Sequence, residues 1–116
     1  MVLAPFAARS TMRKLQAQGV TAERSCEKLG HATQPRPSAG PLVWLHAASV
    51  GESLSVLALI TRMGQILPTA HFLITSGTAT SAKLVAQRLP PRTVHQFAPL
   101  DAPRPVKRFL NHWQPD

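Results

Sequence analysis

The stretch Leu42-Val43-Trp44-Leu45-His46-Ala47-Ala48-Ser49-Val50-Gly51-Glu52 restricts the fold more than any other part of the chain. Five apolar or ring residues come first without polar alternation, the pattern of a strand covered on both faces. Small residues, a glycine and one carboxylate follow, so the strand turns abruptly into a helix. Glu52 is the only acid between Glu27 and Asp101. It stands at the carboxyl end of a parallel strand, where open α/β sheets place their chemistry.

The pattern then repeats. After a strand over 42–47, a helix is expected over 51–66, with Leu54, Leu57, Ala58, Ile60 and Met63 as its buried stripe. Pro68 closes it. A second short apolar strand covers 71–75. The hydroxyl-rich turn Ser76-Gly77-Thr78-Ala79-Thr80 opens a helix over 78–88, with Leu84, Val85 and Leu89 on its apolar side and Pro90-Pro91 as its stop. A third strand covers 93–98. Asp101 is expected to cap a last helix with Pro103 in its first turn. Val106, Phe109, Leu110 and Trp113 fall at i, i+3, i+4 and i+7, the stripe of an amphipathic helix. The order βαβαβα predicts an α/β fold with a parallel sheet and flanking helices. Three strands are few for such a sheet, so residues 41–116 read as part of a domain.

Residues 1–40 read as a basic, partly helical segment ending in a Pro-rich linker. Helical propensity runs over 10–18 and 21–29, with Gly19 and Gly30 as stops. Residues 34–40 form a loop by composition. Arg9, Arg13, Lys14, Arg24 and Lys28 read as a solvated basic face or as a segment attracted to anionic lipid. The second reading needs an apolar anchor, for which residues 2–8 are the only candidate. The net charge is +8, which favours anionic partners. Cys26, the one cysteine, excludes an internal disulfide. No run approaches the roughly 20 apolar residues of a membrane span.

Several chemistries are disfavoured by what is missing. The histidines His31, His71, His95 and His112 show no metal-ligand spacing, so no metal is expected. Neither G-x-S-x-G, a P-loop nor G-x-G-x-x-G occurs. Arg104, Lys107 and Arg108 lack interleaved stacking aromatics, so nucleic acid is not the expected partner. His46 reads as a hydrogen-bonded core residue. Ser49-Val50-Gly51-Glu52 has the form of a capping box, with Ser49 accepting from the Glu52 amide and Glu52 reaching back to the Ser49 amide. The alternative is a general base at a helix N-terminus, with Gly51 admitting a ligand close to the backbone. The 75–81 turn either presents hydroxyls and amides to an anionic group or is capped in the ordinary way by Ser76 or Thr78. The residues alone leave both pairs of readings open.

At these residues the chain resembles a known family. Trp44-Leu45-His46-Ala47-Ala48-Ser49-Val50-Gly51-Glu52 is similar to the signature of transferases of 3-deoxy-D-manno-octulosonic acid (Kdo). The resemblance continues through Leu73-Ile74-Thr75-Ser76-Gly77-Thr78-Ala79-Thr80, Pro99-Leu100-Asp101-Ala102-Pro103 and Val106-Lys107-Arg108-Phe109-Leu110. Upstream, Glu27-Lys28-Leu29-Gly30 resembles the family's acid-basic-x-glycine element. Ser81 departs from the pattern, which often has glycine there.

The resemblance implies a Rossmann-like, partial N-terminal domain of a GT-B glycosyltransferase, inverting and metal-independent. The implied reaction moves Kdo from CMP-Kdo to the lipid A precursor in lipopolysaccharide biosynthesis. The donor would bind a C-terminal domain absent from this chain, so the chain alone is expected to be inactive. Glu52 would be the general base, and Ser49, Gly51, Ser76, Gly77 and Thr78 would bind substrate. The implied setting is an anionic membrane surface, the cytoplasmic face of a bacterial inner membrane, with a separate donor-domain chain as one way to complete the enzyme. The competing expectation is a non-catalytic remnant that binds anionic lipid or a partner protein through its basic face.

Overall fold

The computed structural model describes residues 4–116. Helix α1 spans Ala4–Ala17, α2 Ala22–Ser25, and a 3-10 turn covers Cys26–Leu29. Strand β1 (Leu42–His46) leads to α3 (Val50–Ile66), β2 (His71–Ser76) to α4 (Ala79–Gln87), and β3 (Thr93–Phe97) to α5 (Pro103–Trp113). The strands lie in the order β1-β2-β3, all parallel, with Leu45 opposite Ile74 and Ile74 opposite His95. This is an open Rossmann-like sheet. Each strand boundary lies within one residue of its expected place.

The strands are short apolar runs because each side of the sheet is covered. Phe72 and Ile74 of β2 pack with Leu57 and Ile60 of α3 and Val85 of α4. On the other face, Leu42 and Leu73 pack with Phe109 and Trp113 of α5. Successive residues of β2 therefore serve opposite cores, as the two-residue period of a strand requires. A third cluster joins Leu15 of α1 to Ala82 of α4 and Phe97 of β3, which brings α1 to the carboxyl ends of the strands.

The buried helix faces differ from those that the sequence spacing predicts. In α3 the buried residues are Ser53, Leu57 and Ile60, while Leu54 and Ala58 are exposed. Steps of three residues drift around a helix of 3.6 residues per turn, so a strict three-residue stripe leaves the core. Ser53 takes the inward position by donating its hydroxyl to the Ser49 carbonyl at 2.9 Å. In α5 the buried residues are Pro105, Phe109 and Trp113, and Leu110 is exposed. Asp101 does not cap α5. The N-cap is Ala102, without a side-chain bond, and the proline start places Pro103 where the helix begins. In α4, Ser81, Ala82 and Val85 face inward, and Leu89 lies exposed beyond the helix end.

Helix α1 begins at Ala4, earlier than the expected start at 10, because alanine-rich sequence propagates helix well. Residues 1–3 of the apolar start lie outside the described residues. The largest departure concerns Arg24 and Lys28, which do not form a solvated face. Arg24 pairs with Glu27 at 3.1 Å and lies 5.0 Å over the Phe97 ring, and Lys28 is buried. The cause is Glu27, a fully buried carboxylate that needs a counter-charge and hydrogen bonds. It accepts the Phe97 N–H at 2.8 Å, two N–H groups of Arg24 and the Thr33 hydroxyl. The turn upstream of the sheet is thereby fixed to the end of β3.

Candidate active site

Two helices start side by side at the carboxyl ends of β1 and β2. Ser49, in extended conformation, caps α3 by accepting the Glu52 N–H at 3.1 Å. Glu52 Oε1 accepts the Ala48 N–H at 3.2 Å, so the return bond falls one residue before the expected Ser49 amide. Glu52 is exposed, and its second oxygen has no bond among the described residues. A Cβ at Gly51 would meet nothing closer than Ser49 Oγ at 3.9 Å, so the chain's own packing does not require a glycine there. Thr78 caps α4 in a full capping box with Ser81.

A groove of about 390 Å³ lies between these helix starts. It brings together Ser49 and Val50 from one turn, Gly77, Thr78 and Thr80 from the other, and Lys14 from α1. Gly51 and Glu52 follow Val50 on α3 and do not line it. Ser76 is fully buried and faces away, with Oγ 2.8 Å from His95 Nε2.

His95 does not serve that serine as a base. Arg24 Nη2 donates to His95 Nδ1 at 2.8 Å, because a guanidinium only donates. The ring proton therefore sits on Nε2 and is donated to Ser76, so His95 cannot take the serine's proton. Burial, with the charges of Arg24 and Lys28, pushes His95 down to about 3. The native ring stays neutral where the unfolded one would be protonated. The stability that this neutral ring contributes is full above about pH 6.5 and is lost as the pH falls toward about 3. Substituting His95→Gln, which keeps a neutral donor and acceptor, is expected to flatten the fall in urea-unfolding free energy between those limits. An unchanged slope would show that His95 does not set it.

The sequence comparison decides the family. Residues 23–116 match the model of Glycos_transf_N, described as 3-Deoxy-D-manno-octulosonic-acid transferase (kdotransferase). The chain belongs to this Kdo-transferase family. It is 47% identical over 81 residues to the 3-deoxy-D-manno-octulosonic acid transferase of Rickettsia prowazekii, covering 70% of this chain and 18% of that protein. It is 37% identical over 90 residues to the probable mitochondrial 3-deoxy-D-manno-octulosonic acid transferase of Arabidopsis thaliana, covering 78% of this chain and 20% of that protein. The Haemophilus influenzae 3-deoxy-D-manno-octulosonic acid transferase is 33% identical over 86 residues, with 74% and 19% covered. The chain thus spans about a fifth of the length of these relatives. No solved structure matches it.

The stretch from Trp44 to Glu52 lies on β1 and the start of α3. Residues away from that stretch also reach the site. Lys14 lines the groove, and Lys28 Nζ lies 3.7 Å from where a Cβ of Gly77 would stand. Neither lysine is visible from the sequence as a neighbour of the turns, because each is separated from them by long stretches of chain. The Glu27-Lys28 pair within the acid-basic-x-glycine element was the one available signal. His46, read as a core residue, is exposed, although Nδ1 lies 2.9 Å from Thr75 Oγ1. Among the described residues, no helix is long and apolar enough to cross a membrane.

Proposed function

We propose that this chain is the acceptor-side part of a glycosyltransferase that moves Kdo from CMP-Kdo to the lipid A precursor. Glu52 is the general base. It takes the proton of the acceptor sugar hydroxyl as that oxygen bonds to the anomeric carbon of Kdo. The bond from that carbon to the CMP phosphate breaks with inversion, and CMP leaves with the electron pair. Ser49 orients Glu52 through the helix cap, and Gly51, Gly77 and Thr78 leave the backbone open to substrate. Ser76 supports the turn from within. Residues 41–116 form the acceptor-side domain, and residues 1–40 lie nearest the membrane. The donor sits on another part of the enzyme, either further along a longer protein or on a separate chain.

The observation that carries this reading is the state of the Glu52 carboxylate. One oxygen is anchored on the Ala48 N–H, and the other has no bond among the described residues of an exposed side chain. That arrangement holds a base in place without occupying the atom that accepts the proton. Burial by bound acceptor supplies the desolvation that an exposed carboxylate lacks. Attraction to the anionic cytoplasmic face of a bacterial inner membrane rests on exposed cations such as Arg13, Lys14 and Lys107. A remnant acting only through its basic face is less well supported, since Arg24 and Lys28 are turned inward.

The test grafts residues 23–116 in place of the matching segment of the Rickettsia prowazekii relative. Kdo transfer is then compared between the graft and its Glu52→Gln variant. Glutamine retains an acceptor for the Ala48 N–H, so the fold should be kept. A fall in kcat of about 10²- to 10⁴-fold is expected, the usual contribution of a general base. Transfer within a few-fold of the parent would overturn the assignment.

A further inference from the structure

Lys28 is 6% exposed, yet its ammonium has no hydrogen bond or ion pair among the described residues. The adjacent carboxylate cannot serve it. Glu27 is fully used by Arg24, Thr33 and the Phe97 N–H. Burial lowers the Lys28 pKa from its ordinary value. The stem is enclosed while the ammonium keeps a narrow opening to solvent, since Gln96 Nε2 is the one fully enclosed side-chain atom without a partner among the described residues; an anion entering by that opening would pair with a charge the protein leaves without one.

The ammonium points at a particular place. It lies 5.9 Å from the centroid of the Phe97 ring and 3.7 Å from where a Cβ of Gly77 would stand. Gly77 lines the groove described above, and no side chain separates it from the ammonium. The next residues begin α4, a helix of nine residues with no acid in its first turn. Thr78 Oγ1 takes the Ser81 N–H, whereas the Ala79 and Thr80 amides have no partner among the described residues. Helix starts with free amides favour anions. Lys14 lines the same groove, which has no acidic residue in its wall.

We propose that Lys28, Gly77 and the first turn of α4 form a binding site for the phosphate of a phosphomonoester. Two ammonium groups and a helix N-terminus suit a dianion better than a single carboxylate. Lys28 provides a compact charge from beneath the turn, the Ala79 and Thr80 amides bind oxygens from the helix side, and Lys14 closes the open side. Gly77 is the aperture, because a side chain there would cover the ammonium. The site goes beyond the base assignment for Glu52 and contains none of its atoms.

The test titrates inorganic phosphate, and separately glucosamine 1-phosphate, into the whole chain at neutral pH and constant ionic strength. It follows the backbone amide resonances of Gly77, Ala79 and Thr80. Saturable shifts confined to this turn are expected with either probe, and tighter binding of the ester would identify the phosphate as one carried by a larger ligand. Lys28→Met keeps the aliphatic packing and should weaken binding about tenfold or more, the usual scale for losing a charge-assisted bond. Gly77→Ala meets Lys28 only at ordinary contact distance, so it should fold and still lose binding to a similar degree. Arg62→Met, on the exposed side of α3, should bind like the parent. Absence of saturable shifts in the parent, or parental binding by Lys28→Met, would overturn the site. If Lys28→Met does not fold, parental binding by Gly77→Ala overturns it instead. No transfer step enters this experiment, so its failure leaves the Glu52 reading intact.

Discussion

Replacing Glu27 by alanine should cost about 3–5 kcal/mol of stability, the range for breaking a buried charged network by removing one partner. Three groups lose their acceptor at once: the Phe97 N–H, the Thr33 hydroxyl and the Arg24 guanidinium. The first is the most damaging, since that amide is buried at the end of β3 and cannot reach water. Arg24 is about one-third exposed, so water recovers part of its loss. Glu27→Gln should fall between parent and alanine, because an amide oxygen still accepts from Phe97 while the ion pair is gone. Urea unfolding measures the series. A loss under about 1 kcal/mol for Glu27→Ala would mean that the turn and β3 are not joined through this carboxylate.

The second large effect falls on Gly30. Its φ is +86°, and a Cβ there would lie 2.1 Å from the Pro105 carbonyl oxygen and 2.9 Å from its carbon. Both atoms are backbone, so no side-chain rotation relieves the clash. Gly30→Ala must therefore bear the left-handed backbone cost, about 1–2 kcal/mol, and also separate the 3-10 turn from α5. A total loss of about 3 kcal/mol or more is expected. Gly19 makes the comparison clean. It also has positive φ, at +94°, but a Cβ would meet nothing within 4 Å. Gly19→Ala should show the backbone cost alone. Equal losses at the two positions would contradict the close approach of Gly30 to α5.

These two residues mark how far the sequence could be read. Gly30 was legible as a helix stop, since left-handed C-caps favour glycine. That it also admits the Pro105 carbonyl required knowing where α5 packs, 75 positions along the chain. Glu27 carries no local sign of burial, because a carboxylate beside lysine in a helical stretch looks like any solvated pair. The strand ends, Thr78 as a cap and Pro103 as a start were legible because turns and caps are local. The inward faces of α3 and α5 were less so, since Leu54 and Leu110 are as apolar as their buried neighbours and only tertiary packing chooses between them. At the site, the local signature exposed Ser49, Gly51 and Glu52, while the burial of Ser76 depended on His95 across the β2–β3 pair. Lys28 was visible as a charge and not as a neighbour of Gly77.

As general base, Glu52 would take the proton on the oxygen that has no partner among the described residues. The most direct measurement adds formate to the Glu52→Ala variant of the grafted enzyme. Alanine removes the carboxylate and leaves room for a small one in its place. Little transfer is expected from the variant alone, with a saturable rise in rate as formate is added. Glu52→Gln, which fills that space, should not respond. Near-parental transfer by Glu52→Ala, with no response to formate, would overturn the assignment and leave Glu52 only as the acceptor of the Ala48 N–H at the start of α3.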